Sequence, residues 1–273
     1  MGNVGSNGGL KRRPRDQTAA TALADLMCRT SGVALAAALA ACTWLGPACA
    51  SEPLHCGRFA QETLPSPIPQ KGMHALDRAE EITRAVKSAA YVVLFFGDSL
   101  TEHWDSTVWA QSLAPRGALN AGVGGDRTDH LLWRLMNGNL EGLPPKAVVL
   151  LIGTNDLGFG RSPELAADGI RANLETLRQH LPETSILLLG LLPREESLTA
   201  PLRAATTRVN QLIHDCADGQ HIFFADIGDV LLDSDGRLTA AISPDRLHFT
   251  ARGYSLLASR LDPELDRLLG AAR

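Results

Sequence analysis

Aromatic residues are scarce in this chain, 5% of its 273 positions, and its 26 lysines and arginines do not outnumber its 30 aspartates and glutamates. A formal net charge of −4 leaves no basic stripe to meet a phosphate backbone. The one dense basic run, KRRPR at 11–15, sits in an N-terminal region expected to lie outside the fold. Nucleic acid is therefore a poor match as a partner. Cysteine is also sparse, five in all, with no spacing suited to a metal, and the histidines upstream of residue 222 show no ligand pairing at helical or strand spacing. No metal and no cofactor are expected. The P-loop is missing, and Gly122-Val123-Gly124-Gly125-Asp126-Arg127 lacks the last glycine of a dinucleotide fingerprint. The G-x-S-x-G elbow of α/β-hydrolases is missing too, because residues 97–101 read GDSLT.

A long apolar run is equally hard to find. The segment SGVALAAALAACTWLGPACA (31–50) is built of small residues, and its uninterrupted core is shorter than the roughly 20 residues of a bilayer-spanning helix. With Arg29 upstream and Ala-Cys-Ala at its end, it predicts an export signal over 1–50, cleaved after Ala50. A second reading is a lipobox, Leu39-Ala40-Ala41-Cys42, which would attach the protein to a membrane through a lipid on Cys42. Either way the protein is exported, to the periplasm or beyond. Met27 is an alternative start, and MGNVGS fits a weak myristoylation pattern that conflicts with export. Behind the signal, 51–73 is a proline-rich irregular arm, laid over the surface or left mobile. Cys56 and Cys216 remain in the mature chain; in an oxidising compartment they pair, and otherwise one is a loose thiol and the other is buried in a helix.

From residue 74 the pattern turns regular and continues to 273 without repeat or low-complexity linker, as one catalytic-sized domain. Apolar runs at 91–96, 117–120, 146–152, 185–192 and 221–227 alternate with helical spacing at 74–88, 127–137, 163–181, 200–217 and 251–270. Strands that are apolar throughout and separated by helices predict a parallel sheet covered on both faces, a three-layer α/β sandwich. In such sheets ligands bind beyond the carboxyl ends of the strands. Those ends carry Gly97-Asp98-Ser99, then Gly122 to Asp126, then Gly153-Thr154-Asn155-Asp156, and the last helix is preceded by Ser243 to His248.

Hydrolysis through a serine needs a base to take its proton and a third group to fix the base's tautomer. Ser99, His248 and Asp245 have that chemistry; about 149 residues of chain separate Ser99 from His248, a distance that the doubly wound fold can close. The oxyanion needs donors in a water-poor cleft, and the backbone N–H groups of Ser99 and Gly125 with the side-chain amide of Asn155 are available. Asp98 is read as a bond to the turn that holds Ser99 up, and Asp126 as a brace for the glycine loop. Taken singly, Ser99 reads equally as a helix cap, His248 as a surface histidine and Asn155 as a turn residue. His103 and Trp104 line the cleft mouth, or Trp104 packs against the sheet.

GDSL (97–100), GGDRT (124–128), GTND (153–156) and DRLH (245–248), in this order, resemble the four blocks of the SGNH, or GDSL, hydrolase superfamily. The run from Asn120 to Asp156, with LGLLPR at 189–194, is similar to the catalytic subunits of intracellular platelet-activating-factor acetylhydrolases. That resemblance implies a flavodoxin-like, five-stranded SGNH fold and hydrolysis of short-chain acyl esters. It carries over Ser99 as nucleophile, His248 as base, Asp245 as its orienting carboxylate, and Ser99, Gly125 and Asn155 as the oxyanion hole. It also implies a small-molecule or lipid ester as substrate and makes a homodimer possible. Relatives acting as lysophospholipases, thioesterases or carbohydrate deacetylases keep those substrates open. A non-catalytic lipid- or carbohydrate-binding protein on the same fold is the rival from another class. Two departures stand out: the export signal, and Asp156 where the subgroup pattern has a second asparagine.

Overall fold

A computed structural model of the protein describes residues 54–270. The predicted signal, with Met27, Cys42 and Ala50, lies outside them. In chain order the elements are α1 (Met73–Ser88), β1 (Val93–Gly97), α2 (Ser99–Glu102), α3 (Ser106–Val108), β2 (Ala118–Gly122), α4 (Thr128–Arg134), β3 (Ala147–Leu151), α5 (Thr154–Gly158), α6 (Pro163–His180), β4 (Ser185–Leu189), α7 (Pro201–His214), β5 (Ile222–Ala225) and α8 (Ala251–Gly270). The five strands are all parallel and ordered β2-β1-β3-β4-β5.

The chain steps outward from β1 to β2, then reverses past β1 to β3 and onward. Right-handed crossovers therefore put the first connection on one face of the sheet and the later ones on the other. The contacts agree: α4 packs on α6 and α6 on α7, while α3 packs on α8. The central strands β1 and β3 are buried along their whole length, as two covered faces require, whereas the edge strands β2 and β5 are only partly so. The reversal between β1 and β3 leaves a crevice at their carboxyl ends. Ser99 follows β1 and Asn155 follows β3.

Two of the predicted elements end three residues early. The apolar run 185–192 leaves the ladder at Leu189, because Asn210 from α7 takes over as Leu191's partner, accepting its N–H at 2.7 Å and donating to its carbonyl at 3.0 Å. The helical pattern 200–217 stops at His214, so Cys216 lies in the turn beyond, not in a helix.

Cys216 is bonded to Cys56. The proline-rich arm is thereby laid along the domain, and the N–H groups of Phe59 and Ala60 add bonds to the buried Asp168 carboxylate at 3.0 and 2.9 Å. The bridge closes a loop of 160 residues. A loop of that size constrains the unfolded chain enough that removing the link costs about 2–5 kcal/mol. The double variant Cys56→Ala/Cys216→Ala should accordingly melt on the order of 10 °C below the wild type under non-reducing conditions. Equal melting temperatures would show that the link adds nothing.

Candidate active site

β1 stops at Gly97 because α2 folds straight back over the strand end. A Cβ on Gly97 would meet Thr101 Oγ1 at 2.1 Å and the Leu151 carbonyl at 2.6 Å, so only glycine fits. Asp98 caps the short helix, accepting the Leu100 N–H at 2.9 Å. The cap is therefore Asp98, not Ser99, and the serine hydroxyl is free for other use. Its Oγ lies 2.9 Å from His248 Nε2. The second Asp98 oxygen is buried without a partner. Burial pushes this carboxyl up to about 7, helped by the Asp126 and Asp156 carboxylates and opposed by the Leu100 amide and Arg134. Its contact is with the turn, where it holds the start of α2 beneath Ser99, and the ring of His248 is bonded to Asp245 instead.

The other arm of the site is one compact turn. Asp245 Oδ1 accepts from the N–H groups of Leu247 (3.0 Å) and His248 (2.7 Å), while Oδ2 lies 2.7 Å from His248 Nδ1. One carboxylate thus builds the turn and orients the ring. Burial alone would raise its pKa, but the bonds from the His248 ring, His248 N–H and Leu247 N–H outweigh it and hold it down at about 2. An ionised acceptor at Nδ1 keeps the proton there and leaves the Nε2 lone pair facing the serine. Between them Arg246 takes a left-handed conformation (φ 64°), its carbonyl accepting from Glu195 (φ 60°) at 2.9 Å and its guanidinium 2.9 Å from Glu196.

The glycine loop after β2 completes the crevice. A methyl group on Gly124 would stand 3.8 Å from Ser99 Cβ, so the loop lies directly against the serine. Gly125 has φ +79°, a conformation that side chains strain. Among the described residues no acceptor takes the backbone N–H of Ser99 or of Gly125. Asn155 donates one amide N–H to the Asp126 carbonyl at 2.9 Å and keeps a second. It therefore ties the loops after β2 and β3 together, and its turn role and a donor role are compatible. Predicted as a brace, Asp126 is buried with its carboxylate 2.6 Å from Arg134 Nε; burial pushes it up to about 6 against the pull of Arg134.

Asp156, the departure from the subgroup pattern, works as a carboxylate. It is fully buried, accepts from Thr128 N–H (3.0 Å) and hydroxyl (2.7 Å) at the start of α4, and lies 2.6 Å from Arg161. An amide there would lose the charge that faces Arg161. Trp104 packs edge-on to Phe95 and is buried, whereas His103 is exposed with its ring 6.2 Å from that of His248. The sequence reading did not single out Glu102, whose carboxylate accepts the Gly124 N–H, or Arg194, which donates to the Thr154 carbonyl at 2.8 Å beside Asn155. Glu102 has no signal beyond its place near GDSL, and Arg194 closes the LGLLPR run without a role that the run reveals. A cleft of about 740 Å³ flanked by Lys146, His221 and Arg267 lies at the opposite, amino-terminal ends of the strands, away from this chemistry. Among the described residues no three His, Cys, Asp or Glu side chains are grouped to hold a metal ion.

Comparison with known proteins gives the family and the fold. Residues 95–256 match the GDSL-like Lipase/Acylhydrolase family. The chain is 39% identical over 181 residues to platelet-activating factor acetylhydrolase IB subunit alpha1 of Bos taurus, covering 65% of this chain and 76% of that protein. The alpha2 subunit of Rattus norvegicus is 37% identical over 179 residues, covering 65% and 77%. A GDSL-like lipase of Bacteroides thetaiotaomicron shares the fold, with a TM-score of 0.57, 20% identity, and 70% and 97% of the two chains covered. An acetylxylan esterase of Geobacillus stearothermophilus does so at a TM-score of 0.52, 19% identity, and 66% and 95% coverage. With its motif blocks at the carboxyl ends of a five-stranded parallel sheet, the chain belongs to the GDSL-like lipase/acylhydrolase family and is a hydrolase of ester bonds.

Proposed function

We propose that the protein is a serine esterase that removes short acyl groups, acetyl foremost, from oxygen esters through an acyl-enzyme on Ser99. The observation that carries this reading is the continuous chain from Ser99 Oγ through His248 Nε2 (2.9 Å) and Nδ1 to Asp245 Oδ2 (2.7 Å). Ser99 Oγ attacks the ester carbonyl while its proton passes to His248 Nε2. The tetrahedral oxyanion is met by the N–H groups of Ser99 and Gly125 and the free N–H of Asn155. Collapse breaks the bond to the alcohol, which leaves with the proton from Nε2. Water then repeats the sequence on the acyl-enzyme, using the same base and returning Ser99. Asp245 stays ionised throughout and stabilises the imidazolium formed at each transfer.

The preference for acetyl rests on the names of the relatives: an acetylhydrolase among the similar sequences and an acetylxylan esterase among the similar folds. Rates against p-nitrophenyl acetate, butyrate and octanoate test it; a maximum at octanoate would overturn the short-chain reading, and no turnover of any ester would favour a binding protein. Asn155→Ala should lower kcat about 10²–10³-fold, the usual cost of losing one oxyanion donor, with KM little changed. A fall below threefold would remove Asn155 from the hole. Export belongs to the same proposal: the apolar segment 31–50 supports it, as does the Cys56–Cys216 bond, since disulfides persist in oxidising compartments. The intact mass of the mature protein distinguishes cleavage after Ala50 from lipid on Cys42.

A further inference from the structure

The family match begins at residue 95, yet the proline-rich arm in front of it reaches the crevice. Gln70, half-buried, donates from Nε2 to the Gly124 carbonyl at 3.1 Å. The same nitrogen stands 2.6 Å from where a Cβ on Gly125 would be, so the amide lies directly on the glycine pair. Its Oε1 is buried with no hydrogen-bond partner.

A trans peptide unit is planar, with its C=O and the following N–H pointing in opposite directions. Whatever holds the Gly124 carbonyl therefore also aims the Gly125 N–H. The Gly124-Gly125 pair needs such a hold, because two adjacent glycines have the least intrinsic preference for any one backbone conformation. Glu102 fixes the preceding peptide by accepting the Gly124 N–H, and His74 Nε2 lies 2.8 Å from the other Glu102 oxygen. Gln70 fixes the peptide that matters, between Gly124 and Gly125. The arm that carries it is itself held at Cys56, Phe59 and Ala60.

We propose that Gln70 is a positioning residue of the ester hydrolase, locking the Gly124–Gly125 peptide so that the Gly125 N–H faces the developing oxyanion. The arm is then part of the catalytic apparatus, and the catalytic unit begins upstream of the family match. This inference rests on the oxyanion role of Gly125 in the proposed function. Gln70 touches neither substrate nor reacting atoms and acts only through that peptide.

Gln70→Met keeps the length and bulk of the side chain and removes the donor; Gln70→Glu replaces the donor with an acceptor facing the carbonyl. Both are assayed on the full chain with p-nitrophenyl acetate, and active sites are counted by stoichiometric reaction with a p-nitrophenyl phosphonate, so unfolded protein does not enter kcat. Each variant should lose roughly tenfold in kcat per titrated site with KM within twofold, less than the full loss of an oxyanion donor because the N–H remains but wanders. The rate of phosphonylation, which also places an anionic oxygen in the hole, should fall by a similar factor. A kcat per site within twofold of wild type, or a loss that appears in KM, overturns the inference. Ser99→Ala is measured alongside: if it is inactive while Gln70→Met matches wild type, only the role of Gln70 fails, whereas an active Ser99→Ala protein removes the mechanism beneath it.

Discussion

Alanine at position 99 should lower kcat toward p-nitrophenyl acetate by about 10⁶-fold and leave the melting temperature almost unchanged. The first half follows from the division of labour in the crevice. Among the described residues the His248 ring is hydrogen-bonded to no hydroxyl but that of Ser99, so what remains is the oxyanion donors and bound substrate waiting for water. The second half follows from what the hydroxyl touches: its hydrogen bond is to an imidazole whose side chain is 40% exposed and which water can satisfy instead. The cap of α2 is untouched, because Asp98 supplies it. His248→Ala should cost a similar factor, and the double variant little more, since the two groups act as one unit. An alanine variant retaining more than a hundredth of wild-type kcat would mean that another nucleophile does the work.

Replacing Arg134 by leucine should have the opposite profile, a large loss of stability. Arg134 is 2% exposed and reaches three acceptors behind the site: Asp126 at 2.6 Å, Asn139 Oδ1 at 2.8 Å and the Gly97 carbonyl at 2.9 Å. Breaking a buried pair by removing one partner typically costs about 3–5 kcal/mol, because the other charge is left uncompensated. The pH dependence identifies the cause. Burial already raises Asp126 to about 6 despite Arg134, so between the ordinary carboxylate value and about pH 6 the native state holds a proton that the unfolded state has released, and above that window both states are ionised. A carboxyl with a raised native pKa leaves stability highest below the unfolded value and erodes it as pH rises through the native value. Without Arg134 the native value rises further, and the erosion extends to higher pH. The deficit of Arg134→Leu, read from urea unfolding, should therefore be smaller at pH 5 than at pH 8. Equal deficits would point to lost packing and not to an unpaired carboxylate.

The strands and the site residues at their ends were legible for the same reason. A parallel sheet buried on both faces writes itself as apolar runs, and a polar group just after such a run stands at a strand's carboxyl end; Ser99 and Asn155 met that description, Gly125 followed from the glycine loop after the second run, and Asp245 and His248 from their chemistry and the family resemblance. Strand order is another matter, since nothing in YVVLFF or KAVVLLI says which neighbours it, and the flavodoxin-like order came from resemblance alone. Arg134 was unreadable because a basic residue on a helical pattern looks the same whether solvated or buried on a carboxylate. Cys56 and Cys216 lie 160 residues apart, a separation that favours neither pairing nor its absence. Gln70 carried no signal at all. It sits in a stretch with no periodicity, and its place over Gly124 depends on where α1 begins and where the arm is fastened. Asp156 looked like a departure from pattern and proved to be the cap and ion-pair partner of a neighbouring loop.

The measurement that bears most directly on the central claim is covalent trapping. A p-nitrophenyl phosphonate is attacked by an activated serine in the same way as an ester but cannot be released by water at a comparable rate. Treated wild-type protein should gain one phosphonyl group, on the peptide containing Ser99, with activity lost in proportion to labelling; Ser99→Ala should gain none. Full esterase activity surviving stoichiometric label on Ser99, or an active protein labelled at a different residue, would contradict the account.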